Sequence, residues 1–196
     1  GLDWDPEMIE KRQKEFTGDA RVTLFHSNFS LLEKVAGARP DAVLFDLGLS
    51  SLQLKASGRG FSFKSEEGLE MTFDTSQNYG AKEFLAEVSE KELSDIIKEY
   101  GEERFAYKIA RAIVYARKKA RISTAKELAD VIEKAVGRRG RIHPATRTFQ
   151  ALRIYLNKEL ENIASGIEGA WNILKPKGRI AVISYHSLED RIIKNF

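Results

Sequence analysis

Two short apolar runs limit the folds open to this chain more than any other feature. Asp41-Ala-Val-Leu-Phe-Asp46 and Arg179-Ile-Ala-Val-Ile-Ser184 are continuous in apolar residues instead of alternating. That is the pattern of buried parallel strands, covered on both faces. The residues around them predict further alternation of strands and helices. Gly1-Leu2-Asp3 reads as the tail of a strand. Asp5 as N-cap and Pro6 at the first helical position then open a helix running to about Phe16. Arg21 to Phe25 predicts a short strand, and Asn28 to Ala36 a helix.

The middle of the chain changes character. From Ser89 to Val136 the signals are helical, with two capping boxes, Ser89…Glu92 and Thr124…Glu127. Phe105, Ile109, Ile113 and Ala116 line one helix face, and Arg104, Lys108 and Arg111 fall largely off it. After Pro144, Phe149, Leu152, Leu156, Leu160, Ile163, Ile167, Trp171 and Leu174 recur at steps of three or four. That spacing predicts a long helical stretch with a buried stripe, ended by Lys175-Pro-Lys-Gly178. Ser187 is expected to cap a last helix. The order is βαβα, a helical insertion, then αβα.

Charge divides along the same lines. The formal net charge of +3 conceals a window from Arg104 to Arg153 with 14 Lys/Arg against 3 Asp/Glu. The rest of the chain carries 18 bases and 26 acids. Such asymmetry marks a surface facing a polyanion on an otherwise acidic body; a basic, merely solvated helix surface is the competing reading. The absence of cysteine excludes disulfides, thiolate metal sites and cysteine nucleophiles. With no apolar run near 18 residues and no signal peptide at the start, the expectation is a soluble, cytoplasmic protein.

Candidate chemistry collects at the strand ends. Asp3 and Asp46 stand at carboxyl ends of predicted parallel strands, where doubly wound sheets bind ligands. A carboxylate there can accept both hydroxyls of a ribose, or act only as a turn or cap residue. Gly48 permits close backbone approach, and Ser50, Ser51 and Gln53 offer hydrogen bonds just past the second strand end, ahead of Arg59-Gly-Phe-Ser-Phe63. Between His143 and Arg153, one helix start gathers His, Thr, Arg and Gln, with Thr146, Gln150 and Arg153 on a shared face. Exposed, that face suits a phosphate or a base edge; buried, it needs an internal network. His186 follows a strand and is either functional or a satisfied structural residue, whereas His26 is read as structural. No His-Glu-x-x-His or other metal spacing occurs, so no metal is expected.

These segments resemble the MraW-type family of ribosomal RNA small-subunit methyltransferases. The matching residues are Gly1-Leu-Asp-Trp-Asp-Pro6, Asn28-Phe-Ser30, Asp46-Leu-Gly-Leu-Ser-Ser-Leu-Gln-Leu54, Arg59-Gly-Phe-Ser-Phe63, Tyr100-Gly-Glu-Glu103, His143 to Asn157 and Ser184 to Arg191. The resemblance implies an α/β fold, a class I S-adenosylmethionine-dependent methyltransferase (Rossmann-like) sheet with an inserted helical domain. Residues 1–58 and 156–196 would form the sheet domain, and 59–155 the inserted, RNA-facing domain. It implies methylation of the exocyclic N4 of a cytidine in 16S rRNA, with S-adenosyl-L-methionine as cofactor. Asp3 would lie on the cofactor ribose, Phe29 near the adenine, Asp46 near the adenosyl or methionine end, and Gln53 on the loop closing over it. Asp46, assisted by His186 or Ser184, is the candidate acceptor for an N–H of the amine. Arg59, Arg138, Arg139, Arg141, His143, Arg147 and Arg153 are the candidate RNA contacts, and Phe61 or Phe63 could stack on an unstacked base. Without cysteine, covalent C5 methylation is excluded within this chain.

The implied partner is 16S rRNA in the small ribosomal subunit or its assembly intermediate; no membrane is implied, and a homodimer is left open. Some positions depart from the family pattern, which has Pro at Leu52, Asp at Lys55 and Asp-Met-Arg-Met-Asp at Glu70-Met-Thr-Phe-Asp74. The family's first strand and its Gly-Gly-Gly-His-Ser-type loop come before the position of Gly1, which predicts that the chain is a fragment. Two other readings stand beside this one. One is a non-catalytic RNA-binding fragment of such an enzyme. The other is a dinucleotide-dependent oxidoreductase, against which the missing Gly-x-Gly-x-x-Gly and the basic window both weigh.

Overall fold

The computed structural model describes residues 1–50, 53–54, 58–66, 68–76, 78–137 and 142–196. Arg138, Arg139 and Arg141 of the basic window lie outside the described residues, as do Ser51, Leu52 and Lys55. Among the described residues the elements are β1 (Leu2–Asp3), α1 (Pro6–Glu15), β2 (Phe25–His26), a 3-10 turn (Phe29–Leu31), α2 (Leu32–Val35), β3 (Ala42–Asp46), α3 (Ala81–Glu87), α4 (Glu90–Gly101), α5 (Ala106–Arg117), α6 (Ala125–Val136), α7 (Thr146–Asn157), α8 (Glu159–Ile173), β4 (Arg179–Ile183) and α9 (Ser187–Asn195). They group into two compact units. The first holds Gly1–Gly48, Phe73–Ser76 and Lys158–Phe196; the second holds Leu49–Thr72 and Gln77–Asn157.

The first unit is α/β with small parallel sheets. Asp5 caps α1 as expected, accepting the Glu7 amide at 3.0 Å ahead of Pro6. The strand expected over Arg21 to Phe25 is found at Phe25–His26, in parallel register with Leu2 and Asp3. The helix expected over Asn28 to Ala36 divides into a 3-10 turn, where Asn28 Oδ1 accepts the Ser30 amide at 2.9 Å, and the short α2. The two apolar runs do pair in parallel, in register from Ala42 with Arg179 to Asp46 with Ile183.

Their burial departs from expectation. Phe45 and Leu47 join Leu32, Ile163, Ile167 and Ala170 in a core between the strands, α2 and α8. Side chains alternate across a strand, so the opposite face carries Leu44, 66% exposed, and Ile183, 46% exposed. Among the described residues, these strands are covered on one face. Ser187 proves to be the first helical residue of α9, and the cap is His186.

The second unit is helical. Thr124 and Glu127 form a reciprocal capping box, the Thr124 hydroxyl accepting the Glu127 amide and the Glu127 carboxylate accepting the Thr124 amide. Ser89 accepts the Glu92 amide at 3.1 Å. Ile109 and Ile113 of α5 are fully buried with Leu93, Ile97, Leu128, Ile132 and Leu152. The stripe expected to run from Phe149 to Leu174 is interrupted, because Lys158 adopts a left-handed φ of +50° and separates α7 from α8. Trp171, expected to be buried, is 66% exposed. At the end of α7, buried Asn157 donates through Nδ2 to the carbonyls of Met71 at 2.7 Å and Arg153 at 2.8 Å. No helix among the described residues is long and apolar enough to cross a membrane.

Candidate active site

The carboxyl ends of β3 and β4 lie side by side because Asp46 is in register with Ile183. The pairing continues one step, the Leu47 amide donating to the Ile183 carbonyl at 3.1 Å. Past this point the two chains carry Gly48 on one side and Ser184-Tyr185-His186 on the other. The Tyr185 hydroxyl donates to Asp46 Oδ1 at 2.9 Å, a bond spanning 139 residues of sequence. The negative carboxylate holds the phenol above its ordinary pKa, since ionising the hydroxyl would remove the bond and set two negative charges together. Gly48 has φ +85°, and a Cβ there would stand 3.1 Å from Tyr185 Cδ2. Glycine suits this turn for its dihedral, and an added Cβ would press on the aromatic ring lying against it. Tyr185 was not singled out from the sequence, though an aromatic directly between Ser184 and His186 was the available signal.

His186 and Glu189 hold the base of this corner. One oxygen of Glu189 accepts the Tyr185 amide at 2.7 Å and the His186 amide at 3.2 Å, and the Glu189 amide donates to His186 Nδ1 at 3.4 Å. The other ring nitrogen, Nε2, faces the second Glu189 oxygen at 3.2 Å. Burial alone would raise the Glu189 pKa. The His186 hydrogen bond and charge, with the Tyr185 and His186 amides, outweigh it and lower the value. Glu159 completes a set of three ligand atoms within 4.8 Å of one another. A divalent ion could use such donors, because the cap of α9 engages His186 Nδ1 and one Glu189 oxygen and leaves His186 Nε2 and the second Glu189 oxygen buried without a hydrogen-bond partner. His186 is thus anchored to backbone, and Ser184 lies half-buried beside it.

Asp3 closes β1, with Oδ1 accepting the Asp5 amide at 2.9 Å. Burial, seconded by the charge of Asp5, raises its pKa against the pull of the Asp5 and Trp4 amides. His26 lies nearby with Nε2 donating to the Trp4 carbonyl at 3.0 Å. Phe29 meets Phe45 edge to face at 5.8 Å and lies directly over Gly166 of α8.

The remaining sequence candidates belong to the second unit. Gln53 is buried and locked into its own turn, its Oε1 accepting the Ser50 amide at 2.9 Å while its amide donates to Ser50 Oγ at 3.2 Å. Arg59 is 8% exposed, donates to the Thr72 carbonyl and lies 5.6 Å over the Phe61 ring. Phe61 is itself buried, and one face of Phe63 is covered by the His143 ring, stacked at 4.3 Å. His143 Nδ1 accepts the Ala145 amide at 3.2 Å at the start of α7. Arg147 donates to the Glu102 carbonyl at 3.0 Å, and Gln150 to that of Tyr100 at 3.3 Å, so both tie α7 to the end of α4. Arg153 lies on the next turn of α7, half-buried.

The sequence pattern described as the MraW methylase family matches residues 1–196. A protein of Coprothermobacter proteolyticus named ribosomal RNA small subunit methyltransferase H is 46% identical over 200 residues, covering all of this chain and 67% of that protein. Proteins of the same name from Xanthomonas oryzae pv. oryzae and Stenotrophomonas maltophilia are each 46% identical, with all of this chain matching 58% and 62% of their lengths. The chain therefore spans between about half and two thirds of the curated relatives it matches.

Proposed function

The chain belongs to the MraW methylase family, and from that membership we propose that it carries out methyl transfer from S-adenosylmethionine to the exocyclic N4 of a cytidine in small-subunit ribosomal RNA. The observation that carries the reading is the Asp46 carboxylate at a parallel strand end, with one oxygen held by Tyr185 at 2.9 Å. The arrangement suits an exocyclic amine. The N4 lone pair is delocalised into the ring, so the amine attacks only if it is positioned in line and one of its N–H bonds is polarised. With Oδ1 of Asp46 bound to Tyr185, Oδ2 is left to accept an N–H, and the Tyr185 bond fixes the direction in which it points.

The residues present fit the cofactor. Asp3 offers a carboxylate at a strand end to the ribose hydroxyls, as strand-end acids do in nucleotide-binding sheets. Phe29, seated against Phe45, offers an aromatic edge for an adenine, and Gly48 lets the Tyr185 ring lie against the turn after Asp46. Bound there, S-adenosylmethionine supplies an activated methyl group. Gln53 bonds back to Ser50, and His186 anchors the corner from which Tyr185 projects, with Ser184 half-buried beside it.

The sheet domain of 1–58 and 156–196 is interrupted by an inserted helical domain, 59–155, which carries the whole basic window and faces the RNA. Supporting this is the way α3 to α7 pack on one another as a unit of their own. The partner is 16S rRNA in the small subunit or its assembly intermediate, in the cytoplasm.

The test uses the full-length protein. Asp46→Asn should abolish methylation of small-subunit RNA while calorimetry with S-adenosylmethionine still records binding. Tyr185→Phe should lower kcat with little change in KM. Undiminished turnover in Asp46→Asn would remove Asp46 from the mechanism.

A further inference from the structure

We propose that the outward face of α5, with the turn that follows it, is an RNA-docking surface on which two tyrosines stack unpaired bases while the cations between them hold phosphates. The proposal rests on the rRNA reading above and locates where on this chain the polynucleotide lies. Tyr107 and Tyr115 are 60% and 62% exposed, although the opposite side of the same helix, Ile109 and Ile113, is fully buried. They stand eight residues apart, so they share a face and lie about 12 Å apart along the axis. Arg111 falls midway between them, and Lys119 lies over the Tyr115 ring at 4.7 Å.

The charge on this face is unusually unopposed. No acid occurs between Glu103 and Glu127, and Glu103 is occupied by the Phe105 amide. Three cations of the segment are engaged elsewhere: Arg117 donates to the Leu85 carbonyl at 2.6 Å, Arg121 pairs with Glu83 at 3.1 Å, and Lys126 pairs with Asp130 at 3.8 Å. Arg104, Lys108, Arg111, Lys118 and Lys119 make no ion pair among the described residues and are exposed. A solvated helix has no use for two large aromatic rings set in water among like charges. A single-stranded polynucleotide uses both features, because every base presents a π-face and every linkage a phosphate. An acidic protein segment would use only the cations.

Two variants of the full-length protein separate these contributions. Binding is followed by fluorescence anisotropy with a labelled single-stranded RNA, a duplex of the same length and polyglutamate, at several salt concentrations. Tyr107→Ala with Tyr115→Ala, both at exposed positions, should weaken single-strand binding about tenfold or more with an unchanged salt slope. The same variant should bind duplex nearly as well as wild type. Arg111→Gln with Lys118→Gln and Lys119→Gln should flatten the single-strand salt slope by about two, roughly 0.7 for each phosphate no longer neutralised. Wild-type single-strand affinity in the tyrosine variant would overturn the stacking surface, as would polyglutamate binding as tight as that of RNA. Calorimetry with S-adenosylmethionine on the same variants should be unchanged. Intact cofactor binding with failed RNA predictions sinks this surface alone, whereas wild-type protein that binds no cofactor sinks the methyltransferase reading.

Discussion

Two glycines of α8, three residues apart, should respond to the same substitution with opposite signs. A Cβ on Gly166 would stand 2.6 Å from Phe29 Cδ2, 3.0 Å from Cε2 and 3.4 Å from the Phe29 carbonyl oxygen. A Cβ on Gly169 would meet only the Cβ and amide of Glu33, at 3.5 Å, an ordinary van der Waals distance. Alanine is favoured over glycine in a helix interior by about 1 kcal/mol, and both positions receive that gain. Only Gly166→Ala must also push an aromatic ring that is already seated against Phe45, and overpacking of this kind costs about 1–3 kcal/mol. Gly169→Ala should therefore stabilise by about 1 kcal/mol, and Gly166→Ala should destabilise by about 1 kcal/mol. For a chain of this length those changes correspond to Tm shifts of about 2–4 °C in opposite directions.

Urea and thermal denaturation measure both, with unchanged m values expected because neither substitution alters the surface exposed on unfolding. A double-mutant cycle assigns the cause. In a Phe29→Ala background the clash is gone, and Gly166→Ala should become stabilising like its neighbour. Gly166→Ala should also weaken S-adenosylmethionine in calorimetry, and Gly169→Ala should not, because only the first displaces Phe29. If Gly166→Ala stabilises the wild-type chain as much as Gly169→Ala does, Phe29 does not lie where the reasoning requires.

Asn157→Leu should cost about 1–3 kcal/mol, since it strips a donor from the carbonyl of Met71, a residue only 1% exposed; an unchanged urea midpoint would mean that another donor takes over. The Glu189 carboxyl has a folded pKa below its ordinary 4.5, so it binds its proton less readily folded than unfolded. Its contribution is complete above about 4.5 and is lost as pH falls through the lowered value. Wild-type stability should accordingly fall more steeply on acidification than that of Glu189→Gln, as read from urea midpoints against pH, and parallel profiles would refute the assignment.

Helix starts were legible because their chemistry is local. Asp5-Pro6 and Thr124…Glu127 complete their hydrogen bonds within four residues, so spacing alone specifies them. Strand bounds were not, because a strand is defined by pairing with a partner distant in sequence: Arg21 to Phe25 has strand composition, yet the pairs with β1 fall at Phe25 and His26. The break between α7 and α8 was hidden for a different reason. Lys158 adopts a left-handed conformation that its type does not announce, and the apolar spacing runs across it undisturbed.

The site divides along the same physical line. Asp3 and Asp46 could be singled out because a strand end is defined by what precedes it in sequence. That Tyr185 completes Asp46 could not, because the register of Asp46 with Ile183 alone brings the two together across 139 residues. The same register accounts for Gly48, whose missing side chain makes room for the Tyr185 ring. A side chain at position 48 would therefore reach Asp46 indirectly, by displacing the ring that holds it. On the proposed mechanism, Gly48→Ala should thus resemble Tyr185→Phe in turnover while leaving the carboxylate itself in place.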